Sequence, residues 1–250
     1  MDDTAQLKLS ENEYDFGIFH PAMRRLFDGC DFYNFGFWTD AAGRPVATLR
    51  EAAARMVERH VEADSHPDGV ARVLDVGCGL GACSRAFAEF YPAARVTGLN
   101  YSARQVAFAR EAHGGGRVDF VQGDACALDF PDDHFDRVHS IEAAMHFRPR
   151  RTFLREALRV LAPGGQMVLT DILADAPMTI MPADNVLPTI AAYTELLAET
   201  GFTRIELTSI RDQTVTPFAR VLAANAMQAS ARSIEATFKD YLLVSAHKPG

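Results

Sequence analysis

The 250-residue sequence is short of several things, and each shortage removes a class of function. Its four cysteines, Cys30, Cys78, Cys83 and Cys126, form no C-x-x-C pair and no metal-ligand spacing. That argues against a disulfide framework and against zinc, and leaves four reduced, structural thiols. Positive charge is in the minority: 25 Lys and Arg against 33 Asp and Glu give a formal net charge of −8, with no basic stripe. Nucleic acid and an anionic membrane surface are therefore not expected partners. No apolar run approaches the length of a membrane span, and the opening Met1-Asp2-Asp3-Thr4 is acidic and polar, unlike a signal peptide. A cytoplasmic location is the expectation. Internal repeats, low-complexity tracts and a linker are also missing, so residues 1–250 read as a single domain.

What is present is enough for a sizeable core, with 48% hydrophobic and 23% charged residues. The stretch Val73-Leu74-Asp75-Val76-Gly77-Cys78-Gly79-Leu80-Gly81-Ala82 organises the rest. A short apolar run reads as a buried strand, the glycines as a turn, and residues 82–91 as a helix. Such a unit brings bare backbone and a helix N-terminus up to a ligand. Two spacings fit. Gly77, Gly79 and Ala82 satisfy the dinucleotide pattern G-x-G-x-x-A, whereas Gly77, Gly79 and Gly81 satisfy G-x-G-x-G, the turn of nucleotide-like ligands without phosphate.

The surrounding pattern alternates strand and helix. Strands are expected at residues 73–76, 95–99, 118–121, 135–141, 166–170, 202–210 and 241–247. Helices are expected at 14–27, 45–61, 102–112, 150–161, 189–200 and 216–238. Ser102 and Gln105 form a capping box at the start of one of these helices. This rhythm indicates a mostly parallel sheet covered on both faces. Residues 31–38 place four aromatics and the only tryptophan around Gly36, with Tyr33 and Trp38 either plugging the end of the sheet or forming a lid over a ligand. Ligands of open parallel sheets sit beyond the strands' carboxyl ends. Here those ends carry Gly77 to Gly81, then Asn100 and Tyr101, then Asp124 and Ala125, then Ser140 to His146, and finally Asp171.

These segments, in this order, resemble the class I S-adenosylmethionine-dependent methyltransferases over roughly residues 73–173. The glycine-rich motif stands at residues 74–81, the adenine-side segment at 122–125, and the helix-to-strand turn at Arg159-Val160-Leu161-Ala162-Pro163-Gly164-Gly165. The resemblance implies an α/β fold, with a doubly wound, mostly parallel, seven-stranded Rossmann-like sheet and an N-terminal helical and aromatic lid. Residues 1–69 would form lid and helices, 70–173 the cofactor-binding core, and 174–250 the acceptor side. It implies S-adenosylmethionine as cofactor and S-adenosylhomocysteine as product. Gly77, Gly79 and Gly81 would contact its methionine part, Asn100 its ribose, and Asp124 with Ala125 its adenine, with Asp75, Tyr101 and Gln105 as further cofactor-binding residues. Tyr33 and Glu142 complete the expected cofactor set, Glu142 with a structural role as its alternative. Asn100 stands where many relatives carry an acidic residue, and this counts against a dinucleotide enzyme, which needs a carboxylate there.

Residues 140–147 and 169–173 are similar, more narrowly, to sugar O-methyltransferases acting on macrolide and indolocarbazole antibiotics. That likeness implies His146 as general base and Asp171 as the group that orients it or the acceptor. The alternatives are a packed histidine and a turn-capping aspartate. The expected partner is a small-molecule acceptor, most simply a hydroxyl of a secondary metabolite, with a homodimer that completes the lid as a further option. N- or C-methylation, or a cyclase keeping the cofactor as scaffold, are the competing chemistries. Met178 and Met181 line an apolar acceptor pocket or belong to the core, and His139 is expected to be structural.

Overall fold

The computed structural model describes residues 11–250, and the acidic opening at residues 1–4 lies outside them. Seven strands form one sheet: β1 (Arg72–Val76), β2 (Arg95–Asn100), β3 (Val118–Gln122), β4 (Phe135–Ile141), β5 (Leu161–Leu173), β6 (Thr203–Ser209) and β7 (Asp240–His247). Their order is β3-β2-β1-β4-β5-β7-β6. The first five run parallel, and β7 lies antiparallel between β5 and β6. The chain order reverses direction between β1 and β4, which is where open α/β sheets bind ligands.

Alternation along each strand feeds two cores. Val73, Val96, Val168 and Leu243 point to one face, against α3 (Leu49–Glu62), α4 (Ala82–Phe90) and α5 (Ala103–His113). Leu74, Val138, Leu169 and Val244 point to the other, against α6 (Arg150–Val160) and α7 (Ile190–Thr200). Phe87, Phe153, Leu154 and Tyr193 are completely buried between helices and sheet. The doubly wound architecture and its seven strands are as the sequence implies.

Several boundaries differ, each for a local reason. The helix expected at 14–27 is broken into α1 (Glu11–Phe19) and α2 (Pro21–Leu26), because Pro21 lacks an N–H and His20 caps the second piece by accepting from Ala22 N at 3.2 Å. The helix expected from residue 45 begins only at Leu49, where Thr48 and Glu51 form a capping box. The strand expected at 166–170 runs on to Leu173, since β7 pairs with it from Gln166 to Leu173. The long helix expected at 216–238 is α8 (Arg211–Ala224) followed by α9 (Gln228–Thr237). Asn225 Nδ2 claims the Val221 carbonyl, and Ala226 turns the chain at φ 61°. His139 stacks on Phe87 with ring centroids 4.1 Å apart, and burial holds it neutral at a pKa of about 3, in keeping with a structural role.

Gly98 in β2 permits the close approach of α4 to the sheet: a Cβ there would meet Phe120 Cδ1 at 2.5 Å and Ser84 Oγ at 2.7 Å. Gly98→Ala is expected to cost about 1–3 kcal/mol by overpacking. Urea unfolding reads this as a lowered midpoint at unchanged slope.

Candidate active site

The turn after β1 is held by backbone bonds that reach across to β2, with Gly77 N and Cys78 N both donating to Leu99 O at 2.8 and 3.1 Å. Gly77, Gly79 and Gly81 all lie in the left-handed region, at φ 82°, 54° and 94°. At Gly77 the need for glycine is steric as well, because a Cβ would fall 2.3 Å from that of Ala143. This close approach brings the segment after β4 against the glycine turn.

A cavity of about 1020 Å³ opens beyond the carboxyl ends of β1, β2 and β4. Tyr33, Gly77, Gly79, Asn100, Tyr101, Gln105, Asp124, Ala125, Glu142 and His146 all line it. Asp75 and Gly81 do not. Asp75 lies behind the turn, 1% exposed, where it accepts from Ser84 Oγ at 2.6 Å and borders a small recess of about 20 Å³ shared with Tyr33, Gly77 and Gly79. Gly81 caps α4, with Phe120 and Ala109 where a side chain would be.

Local bonding orders the polar rim. Asn100 Nδ2 donates to Gln105 Oε1 at 2.8 Å and to Gly79 O at 3.3 Å, while its Oδ1 accepts from Ser102 N at 3.3 Å. The expected capping box is half formed. Ser102 Oγ accepts from Gln105 N, but the Gln105 amide does not reach back, because Asn100 and Asp15 claim it. Asp15 is a residue that sequence reasoning missed. It is 8% exposed and accepts from Ser102 Oγ at 2.6 Å and Gln105 Nε2 at 3.1 Å, pinning α1 across the Asn100–Gln105 rim. Asp124 Oδ1 accepts from Cys126 N at 2.8 Å, which sets the turn that presents Ala125.

Glu142 sits at φ 53°, a conformation unusual for a residue with a long side chain. Its carboxylate accepts from Phe35 N at 2.7 Å and from the Tyr241 hydroxyl, tying the N-terminal aromatic segment to the sheet. Burial pushes Glu142 up to about 7, against the pull of those two donors. Burial does the same to Asp75, also to about 7, with Ser84 opposing. Neither carboxyl is paired with a Lys or Arg among the described residues. Of the two, Glu142 lines the cavity, and a carboxyl with no cationic partner there fits a positively charged ligand group.

His146 follows a short 3-10 turn, Ala144–His146, and lies with Met145 and Phe147 at the cavity wall. Its Nδ1 is 2.8 Å from the Ile180 carbonyl oxygen, an atom that only accepts, so Nδ1 carries the proton and the lone pair is on Nε2. Burial lowers this histidine to about 4; Arg148 and Arg150 add to the effect and the Ile180 bond opposes it. Asp171 is not brought to the cavity. It is fully buried on the α6/α7 face of the sheet, ion-paired with Arg150 at 2.8 Å and bonded to Tyr193 Oη at 2.6 Å. Beyond His146 the wall is largely apolar: Phe35, Met178, Ile180, Ile234 and Phe238, with Ser233 and Thr237 among them. Trp38 instead donates its indole N–H to Phe35 O at 2.8 Å, and Met181 is fully buried.

Comparison with known proteins agrees with this geometry. Residues 74–169 match the methyltransferase domain. The chain is 31% identical over 210 residues to erythromycin 3''-O-methyltransferase of Saccharopolyspora erythraea, covering 75% of this chain and 67% of the relative. It is 34% identical over 207 residues to methyltransferase GfsG of Streptomyces halstedii, covering 77% and 72%. The crystal structure of the [4+2]-cyclase SpnF superposes with a TM-score of 0.75 at 27% identity, covering 94% of both chains. The chain belongs to the class I S-adenosylmethionine-dependent methyltransferases. It is an enzyme of the secondary-metabolism type within that family, and S-adenosylmethionine is its cofactor. Among the described residues, no helix is long and apolar enough to cross a membrane.

A carboxyl raised from its ordinary value of about 3.9 makes the folded chain bind the proton more tightly than the unfolded one, so stability is lost as pH climbs toward 7. Asp75→Asn, which keeps an acceptor for Ser84, is therefore expected to stabilise the ligand-free protein at pH 8 by about 2–4 kcal/mol. The gain should shrink steadily toward pH 4, as read by denaturant unfolding across that range.

Proposed function

We propose that the protein methylates a hydroxyl group on a largely apolar small-molecule scaffold, with His146 as general base. The observation that carries this reading is the fixed tautomer of His146 at the wall of the same cavity that contains the glycine turn. Held neutral above a pH of about 4, the imidazole is in the protonation state that a general base requires.

The cavity residues support the cofactor assignments proposed for them. Gly77 and Gly79 leave room for the methionine part, with Glu142 as counter-charge and Tyr33 nearby, while Asp75 acts from behind the turn. Asn100, Tyr101 and Gln105 serve the ribose side, and Asp124 and Ala125 the adenine. Gly81 acts indirectly, by capping α4. S-adenosylmethionine, when bound, supplies an electrophilic methyl group. The chain's own contribution is to orient the acceptor, exclude water through the aromatic wall, and take up the hydroxyl proton at His146 Nε2.

The acceptor class rests on the far half of the cavity, where Phe35, Met145, Phe147, Met178, Ile180, Ile234 and Phe238 outnumber Arg148, Thr179, Ser233 and Thr237. Such a wall suits a hydrocarbon-rich ring system with few hydroxyls better than a free sugar. The cavity draws lining residues from the 1–69, 70–173 and 174–250 stretches, which supports one catalytic domain. A second reading, a cyclase that keeps the cofactor as scaffold, rests on the similarity to SpnF.

Incubation with methyl-labelled S-adenosylmethionine and two acceptor sets, macrolactone aglycones with phenolic polyketides and free monosaccharides, separates these readings. Label transfer to the first set with release of S-adenosylhomocysteine is expected. Transfer to sugars alone overturns the acceptor class, and scaffold conversion without release favours the cyclase. His146→Ala should lower kcat by about 10²–10⁴-fold while leaving calorimetric S-adenosylhomocysteine binding unchanged. Because the imidazole is already neutral, the wild-type kcat should show no acid limb near pH 6.5 from this residue.

A further inference from the structure

Asp171 and Arg150 are 0% and 1% exposed, and taking such a pair out of water is expensive. The pair is nevertheless elaborately tied. Arg150 Nη2 donates to Asp171 Oδ1 at 3.1 Å, Ile172 N donates to the same oxygen at 2.8 Å, and the Tyr193 hydroxyl donates to Oδ2. Arg150, anchored on that carboxylate, also directs Nη1 to Asn185 and Nη2 to Met181, both in residues 174–188.

Two routes lead from Arg150 to His146. In the first, Arg150 N donates to Asn185 Oδ1 at 2.7 Å and Nη1 donates to Asn185 O at 2.8 Å. Asn185 Nδ2 then donates to Met145 O at 2.9 Å and Phe147 O at 2.6 Å, the carbonyls on either side of His146. In the second, Arg150 Nη2 lies 3.7 Å from Met181 Sδ. Met181 exchanges backbone hydrogen bonds with Met178, closing the turn whose Ile180 carbonyl receives the His146 Nδ1 proton. Both the backbone that carries the imidazole and the carbonyl that sets its tautomer are thus referred to one buried guanidinium.

We propose that the buried Arg150–Asp171 pair, acting through Asn185, is the positioning device for His146. This rests on His146 being the base. Asp171 then influences proton transfer without touching the acceptor: it fixes Arg150, Arg150 fixes Asn185 and Met181, and these fix the ring and its proton. Asn185 suits the link because its oxygen accepts from Arg150 while its amide supplies two donors at once.

The test uses full-length protein labelled with ¹⁵N-histidine and saturated with S-adenosylhomocysteine. Nitrogen–proton correlation spectra, assigned through His146→Ala, report the His146 tautomer. In wild type the Nδ1–H form is expected. Asn185→Ala should introduce the Nε2–H form and lower kcat, on the acceptor found above, by about 10–100-fold, with KM for S-adenosylmethionine unchanged. Tyr193→Phe removes a single bond to Asp171 and should shift the same signals less, which keeps the idea testable should Asn185→Ala fail to fold. An unchanged tautomer in either folded variant overturns the proposal, as does a loss confined to cofactor affinity. A shifted tautomer with kcat unchanged, both here and in His146→Ala, supports the positioning route and overturns the base assignment instead.

Discussion

Between the turn after β1 and the segment after β4 there is no room for a single carbon atom. A Cβ on Gly77 would lie 2.3 Å from that of Ala143, so the two segments pack backbone to side chain at the point where the sheet reverses its order. Much else depends on that approach. Glu142 is forced into the left-handed region beside the turn, where its carboxylate can reach Phe35 and Tyr241. The 3-10 turn that follows then carries His146 to the same cavity. A larger residue at position 77 would separate the glycine turn from the imidazole.

The fold was readable because its signals are local and mutually consistent. Apolar runs of strand length, glycine and proline stops, and helical spacing recur along residues 71–173 in one rhythm, and a parallel sheet is the arrangement that satisfies them. Boundaries were less readable where a tertiary partner or a local side-chain bond decides them. β5 outruns its apolar core because β7 pairs beyond it, and the helix at 216–238 breaks because a side-chain amide competes for a backbone carbonyl.

The candidate site shows the same division. Gly77, Gly79, Asn100, Asp124 and Ala125 sit at strand ends, where topology alone directs residues to a ligand. Asp171 also sits on a terminal stretch of strand, yet its side chain points to the other face, and period-two alternation with Thr170 and Ile172 holds the only clue to that. Asp15, Arg150 and Asn185 carry no motif. Their roles arise from hydrogen bonds between segments 21 to 90 residues apart in sequence, such as Arg150 with Asp171 and Asp15 with Gln105.

The cavity's two halves are built from independent parts of the chain. The His146 side is braced by Arg150 and Asn185 under the α6/α7 layer, whereas the distal wall includes Ser233, Ile234 and Thr237 of α9 and the Phe238 that follows it, which among the described residues share no hydrogen bond with that bracing. Mutation in α9 can reshape that wall while the imidazole keeps its support. If the wall holds the acceptor as proposed, changes in one short helix exchange one scaffold for another, and directed evolution for a new acceptor has its natural starting point there.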